Sequence, residues 1–130
     1  MRKILIRFIS EKLSSETLKL EKGSYEDRQL YYFINRAFKD IENDLDSCIR
    51  IPRKLWPKEY KKYSITNLWK YDLPRGWRLI FFLEADEIKV VAIILEWFSH
   101  KDYEKRFEYW LTSSTIWNEK CLEENYLQEL

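Results

Sequence analysis

The chain has 130 residues and a formal net charge of +1, which suits one domain with a sizeable core and leaves little for a second. Hydrophobic residues at 45% and charged residues at 35% are ordinary for a globular protein. Only 2 Gly and 3 Pro exclude collagen-like and linker-rich chains and leave no glycine loop for a nucleotide phosphate.

Lys3 to Ile9 alternates and is rich in β-branched residues, which predicts a strand. Residues 11–22 predict a short helix closed by Gly23. Ser24 then reads as a helix N-cap, with Glu26 and Asp27 in the first turn favouring the positive end of the helix. Leu30, Phe33, Ile34, Ala37, Phe38, Ile41 and Leu45 follow at helical spacing and predict a long amphipathic helix facing the core. Pro52 and Pro57 argue against a regular element between Ile51 and Tyr63, which reads as an ordered loop anchored by Trp56 and Tyr60. From Asn67 three strands are predicted, Leu68–Leu73, Trp77–Glu84 and Ile88–Trp97, joined by Pro74-Arg75-Gly76 and Ala85-Asp86-Glu87. The longest apolar runs, Leu79–Leu83 and Val90–Leu95, are strand-length and far short of a bilayer span, so no membrane partner is expected.

The first connection has turn chemistry. Pro suits the opening position of a type I turn, and Gly supplies the left-handed residue of a three-residue hairpin loop. That register pairs Leu73 with Trp77, Asp72 with Arg78 and Lys70 with Ile80. A matching pair of Glu84 with Ile88 sets Arg78 opposite Ile94, with Glu96 as its diagonal neighbour. Side chains alternate across a sheet. Trp69, Tyr71, Leu73, Trp77, Leu79, Phe81, Val91, Ile93, Leu95 and Trp97 therefore share the face expected to take the helices. Leu68, Lys70, Asp72, Arg78, Ile80, Phe82, Ala92, Ile94 and Glu96 share the other. Lys70, Asp72, Arg78 and Glu96 gather at one end of it, beside Ser99-His100. One reading is a cationic pocket for a phosphodiester, in which Arg and Lys stabilise developing charge and Glu or His moves protons. The other is an Asp72–Arg78–Glu96 ion-pair network that pins the strand register.

The near-neutral total conceals an asymmetry. Cys48 to Arg78 holds nine basic residues (Arg50, Arg53, Lys54, Lys58, Lys61, Lys62, Lys70, Arg75 and Arg78) against Glu59 and Asp72, while residues 111–130 carry one basic and four acidic side chains. A positive field of that size suits phosphate-bearing partners or a plain solvated surface. Aromatic residues make up 17% of the chain, which serves either a dense core or stacking on nucleobases. Cys48 and Cys121 are too few for a disulfide scaffold, and with a single His they supply no zinc set, so no metal or cofactor is expected. Arg7 interrupts the N-terminal apolar run before it reaches secretory-signal length, and a cytoplasmic protein is expected.

Three stretches carry a family resemblance. Asn67 to Phe82 contains Gly76-Trp77-Arg78-Leu79, which is similar to the Gly-Tyr-Arg-Leu-Val strand of the RelE/ParE superfamily of toxin–antitoxin toxins. Ile94 to Tyr103 ends the last strand as that family does, and Ser99-His100-Lys101-Asp102 resembles the Ser-His-x-Asp ending of YafQ-type ribonuclease toxins. Ile51 to Tyr60 is similar to a loop of uncharacterised archaeal RelE-like members. The resemblance spans residues 1–109 as a RelE-like toxin domain, with residues 110–130 as an acidic, helical C-terminal extension. It implies an α+β fold with an N-terminal strand, a helical hairpin and a three-stranded antiparallel meander.

The resemblance also implies a metal-independent endoribonuclease that cleaves messenger RNA, in some members on the ribosome, and is neutralised by an antitoxin protein. The 2′-hydroxyl would attack the adjacent phosphate and leave a cyclic phosphate. On that pattern Arg78 matches the arginine on the scissile phosphate and His100 the general acid. Lys70 falls near a phosphate-binding lysine, and Tyr103 takes a base-stacking or proton-transfer role. Glu96 has no family counterpart and would orient Arg78 or act as base. The strand arginine is shared with ParE-like members that inhibit DNA gyrase without cleaving RNA. A target inhibitor of that kind and a catalytically inactive binding module are the alternatives.

Overall fold

Two serines start the first two helices. Strand β1 (Ile4–Phe8) leads to Ser10, whose hydroxyl accepts from the Leu13 N–H at 3.1 Å and caps α1 (Glu11–Lys19). After a 3-10 turn at Leu20–Lys22, Ser24 and Asp27 cap α2 (Tyr25–Asn43) reciprocally. The Asp27 N–H donates to the Ser24 hydroxyl at 3.1 Å, and the Ser24 N–H donates to the Asp27 carboxylate at 3.2 Å. Leu30, Ile34, Ala37 and Ile41 form the buried stripe of α2. The structure is a computed structural model and describes residues 3–107; the expected extension at 110–130 and Cys121 lie outside the described residues.

The remaining elements are β2 (Ile49–Arg50), β3 (Trp69–Asp72), β4 (Arg78–Ala85), β5 (Val90–Phe98) and α3 (His100–Phe107). The fold is mixed α+β, with a five-stranded sheet in the order β1-β5-β4-β3-β2. β1 runs parallel to β5, and the other neighbours are antiparallel. One core lies between the sheet and the α1–α2 pair, where Ile34, Ile41, Leu79, Phe81 and Ile94 are fully enclosed. A second core covers the opposite face: Ile51, Tyr60 and Ile65 from the proline-containing segment and Tyr103 from α3 pack on Leu68, Ile80, Phe82, Leu95 and Phe98. The sequence predicts a loop there, and the backbone is indeed irregular, two short 3-10 turns at Arg53–Leu55 and Lys58–Tyr63. Trp56 anchors it as expected, donating its indole N–H to the Ile51 carbonyl at 2.9 Å. Among the described residues, no helix is long and apolar enough to cross a membrane.

The β3–β4 register follows the expected pairing, with Asp72 opposite Arg78 and Lys70 opposite Ile80. The β4–β5 register does not. Asp86 builds its own turn: its carboxylate accepts from the Ile88 and Lys89 N–H groups, both at 2.8 Å, and its N–H donates to the Lys89 carbonyl. This lengthens the loop, so Ala85 pairs with Val90 and Glu84 with Val91, not with Ile88. The displacement is an odd number of residues, which turns the first half of β5 over. Ala92 and Ile94 consequently face α1 and α2, while Ile93 and Leu95 enter the second core. A β-bulge at Leu95, between Ile80 and Phe81 on β4, then restores the expected faces of Glu96 and Trp97. Arg78 lies opposite Phe98 instead of Ile94, and Glu96 remains its diagonal neighbour.

Helix α2 is tied to the sheet by the Tyr71 hydroxyl, which donates to the Asp40 carboxylate. Burial and that carboxylate push the Tyr71 hydroxyl up from 10.0 to about 12. Burial, with Asp40 and Asp44 nearby, pushes the Cys48 thiol up from 9.0 to about 12. Both groups are neutral when protonated, and the folded state holds their protons to higher pH than the unfolded chain does. Their contribution to stability is therefore complete below about pH 9 and is lost as pH rises towards 12. The urea midpoint is expected to fall over that interval, and to fall less in a Tyr71→Phe, Cys48→Ala double variant.

Candidate active site

Arg78 opens β4 at the end of the sheet where α3 begins. Its Nη1 donates to the Gly76 carbonyl at 2.7 Å, its Nε lies 3.1 Å from an Asp72 carboxylate oxygen, and its Nη2 stands 3.4 Å from Nδ1 of His100. The guanidinium also lies over the Tyr103 ring, 5.0 Å from its centroid. The Lys70 ammonium approaches the same ring at 5.2 Å and the same Asp72 oxygen at 3.5 Å. Lys70, Asp72, Arg78 and His100 thus lie together, as the strand alternation predicted; Tyr103 joins them, and Glu96, expected in the same cluster, does not.

The turn that delivers Arg78 has the expected length but a different backbone. Gly76 has φ 81°, but Arg75 is also left-handed at φ 65°, so the hairpin does not begin as a type I turn. A left-handed non-glycine residue costs on the order of 1–2 kcal/mol, and such strain gathers at functional sites. A side chain at Gly76 would be strained by its backbone and would crowd His100, whose Cβ would lie 3.1 Å from the new Cβ. The turn, Arg78 and His100 are packed as a unit.

His100 is the first residue of α3 and more than half exposed. Its Nε2 lies 3.1 Å from the Glu104 carboxylate, one helical turn on. A neutral ring that accepts from Arg78 at Nδ1 carries its proton on Nε2, facing Glu104, and these two contacts orient it. Neither α3 nor the part played by Glu104 emerges from the strand-based reading of this region. A signal was present: Ser99 and Asp102 have the spacing of a helix start, and the Ser99 hydroxyl accepts from the Asp102 N–H at 3.3 Å.

Two expected roles are corrected. Glu96 belongs to a second group: Arg106 on α3 clasps both its oxygens, from Nε at 3.0 Å and Nη2 at 2.7 Å, and the Tyr60 hydroxyl donates to it at 2.6 Å. Arg106 also pairs with Glu59 at 3.2 Å. These bonds to Glu96 hold the Arg106 guanidinium charged to still higher pH than usual, while burial and the Glu96 charge raise the Tyr60 hydroxyl. Glu96 therefore fastens α3 and the 58–63 turn to β5, and a carboxylate so engaged neither orients Arg78 nor serves as a ready base. Tyr103 is buried, 7% exposed, with Phe98 and Phe107 against it and the two cations over its ring. It is a floor for Arg78 and Lys70 and has no open face for a nucleobase.

The basic residues expected to bind nucleic acid lie on several elements. Arg50 lies on edge strand β2 over Trp69, whose ring belongs to the helix-side core, across the sheet from Lys70. Arg53 stacks on Trp56 at 4.7 Å and Lys62 on Tyr63 at 5.2 Å. Lys54, Lys58 and Lys61 are exposed on the two 3-10 turns, and Arg75 is exposed at the hairpin tip. Among the described residues, no group of three or more His, Cys, Asp or Glu is arranged to hold a metal ion.

No family model matches the chain, and no curated protein or solved structure matches it significantly.

Proposed function

We propose that this chain is a RelE/ParE-like endoribonuclease that cleaves messenger RNA, free or on the ribosome, without a metal, and is held in check by an antitoxin protein. One observation carries the reading: Nη2 of Arg78 and Nδ1 of His100 stand 3.4 Å apart, so an anion seated beside them would accept from the guanidinium and, when the imidazole carries its second proton, from Nδ1 as well. Lys70 adds positive charge on the same floor. The consecutive antiparallel pairing of β3, β4 and β5, following an N-terminal strand and two helices, supports the RelE/ParE-like topology. Strain at Arg75 beside these groups supports a functional turn.

In this mechanism Arg78 and Lys70 hold the scissile phosphate and stabilise the charge that develops as the 2′-oxygen bonds to phosphorus. The bond from phosphorus to the 5′ oxygen breaks, the 2′ proton leaves to solvent, and His100, as the imidazolium, delivers its Nδ1 proton to the departing 5′ oxygen and becomes neutral. Glu104 holds the imidazole in position for that transfer. The products are a 2′,3′-cyclic phosphate and a 5′-hydroxyl.

The test is induced expression with primer extension on cellular messenger RNA, wild type beside His100→Ala. Growth arrest with discrete new 5′ ends, lost in the variant, is the expected result. Arrest without new ends would replace this reading with a ParE-like target inhibitor. Neither effect from a folded protein would leave a binding module.

A further inference from the structure

Asp72 was not among the residues expected to act, yet it occupies the centre of the site. One of its carboxylate oxygens is shared by the two cations assigned to the scissile phosphate, 3.1 Å from Arg78 Nε and 3.5 Å from Lys70 Nζ. Nε and Nη2 form the edge of a guanidinium that grips carboxylates and phosphates through two parallel bonds. Here that edge is divided between Asp72 at Nε and His100 at Nη2.

The contact with Asp72 is electrostatic but poorly aligned. Arg78 Nε is buried and makes no hydrogen bond of acceptable geometry, although the carboxylate is within reach. A buried donor left in this condition gains from any better-placed acceptor. Arg78 and Lys70 have side chains only 16% and 12% exposed, whereas the Asp72 side chain is 47% exposed and can swing into solvent without disturbing the core.

We infer that Asp72 is an internal stand-in for the substrate phosphate: its carboxylate occupies the anion position between Arg78 and Lys70, and an RNA phosphate binds by displacing it. Asp72 thereby sets the affinity of the site and selects against weak anions, because an incoming ligand must out-compete a tethered carboxylate. The inference rests on the reading of Arg78 and Lys70 as a phosphate site, and deepens it by naming the residue that controls entry.

The probe is a short 2′-O-methyl oligoribonucleotide, which has no free 2′-hydroxyl to attack, titrated into wild type, Asp72→Asn, Arg78→Ala and the double variant at fixed salt. Asp72→Asn is expected to bind about fivefold more tightly than wild type, because the substitution removes the competing charge beside two cations. That gain should shrink to less than about twofold in the Arg78→Ala background, since the competition acts through Arg78. Asp72 is half exposed and its contact with Arg78 is misaligned, so the melting temperature of Asp72→Asn should stay within about 3 °C of wild type. Equal or weaker binding by Asp72→Asn would overturn the inference, as would a gain undiminished without Arg78 or the absence of binding by any of the proteins. Cleavage of unmodified RNA, measured on the same preparations, separates the two levels. A binding gain without wild-type cleavage would remove the nuclease reading and keep Asp72 as the gate of an anion site.

Discussion

Arg78→Ala is expected to reduce RNA cleavage by about 10²–10³-fold, the usual loss when one preorganised donor to a developing negative charge is removed. The effect on folding should be much smaller. The side chain gives up a hydrogen bond to the Gly76 carbonyl, a misaligned ion pair with half-exposed Asp72 and its stacking on Tyr103. These contributions together amount to about 1–2 kcal/mol. Arg78→Lys should recover little activity, because a single ammonium cannot hold the Gly76 carbonyl and face His100 together. Thermal melts and cleavage of a defined RNA on the same samples check both parts. Loss of activity in step with a loss of more than about 3 kcal/mol would instead favour a purely structural Asp72–Arg78 pair, since that is the scale of a broken buried network.

Phe81→Ala is expected to have the largest effect on stability, about 3–5 kcal/mol, as for other fully enclosed aromatic side chains cut back to a methyl group. Phe81 is 0% exposed, stacks on Trp69 with rings 13° from parallel, and pairs with Ile94 where β5 approaches its bulge. Backbone pairing through the strand restrains the surrounding side chains from closing the gap. Urea denaturation should show the midpoint falling while the slope stays near that of wild type. A loss below about 1 kcal/mol would mean that the core re-forms around the gap, and that the bulge is less rigidly seated than its geometry indicates. The candidate cluster lies at the start of β4, ahead of Phe81, so any cleavage by the fraction still folded should be near that of wild type.

Much of this arrangement was legible because it depends on neighbours along the chain. The stripe Leu30-Ile34-Ala37-Ile41 faces the core as its spacing requires, and Ser24 caps α2 as its side-chain chemistry requires. Asp72 lies opposite Arg78 because only a few residues separate them through a tight turn. That pairing brings Lys70 beside Arg78, and the next strand ends at Phe98, just before His100, so most of the cluster is legible from local pairing. The β4–β5 faces were not legible. A single side chain, Asp86, diverted two N–H groups into its own turn and reversed part of the strand, and the bulge at Leu95 reversed it back.

Glu96 shows the same division more sharply. Its place on the face shared with Arg78 followed from alternation, but its partners come from residues 36 positions before it and 10 after it. They meet it because the proline-containing segment folds back over the sheet and α3 packs beside it, enclosing the second core. The sequence by itself determined α1, α2, the three antiparallel strands and the placing of Lys70, Asp72 and Arg78 at one end of the sheet, since periodicity, caps and short turns are local properties. Tertiary structure alone decided that Glu96 binds Arg106, that Tyr103 is a buried floor and that Asp72 fills the anion position. Those outcomes depend on which distant surfaces exclude water together, and no local pattern along the chain records that.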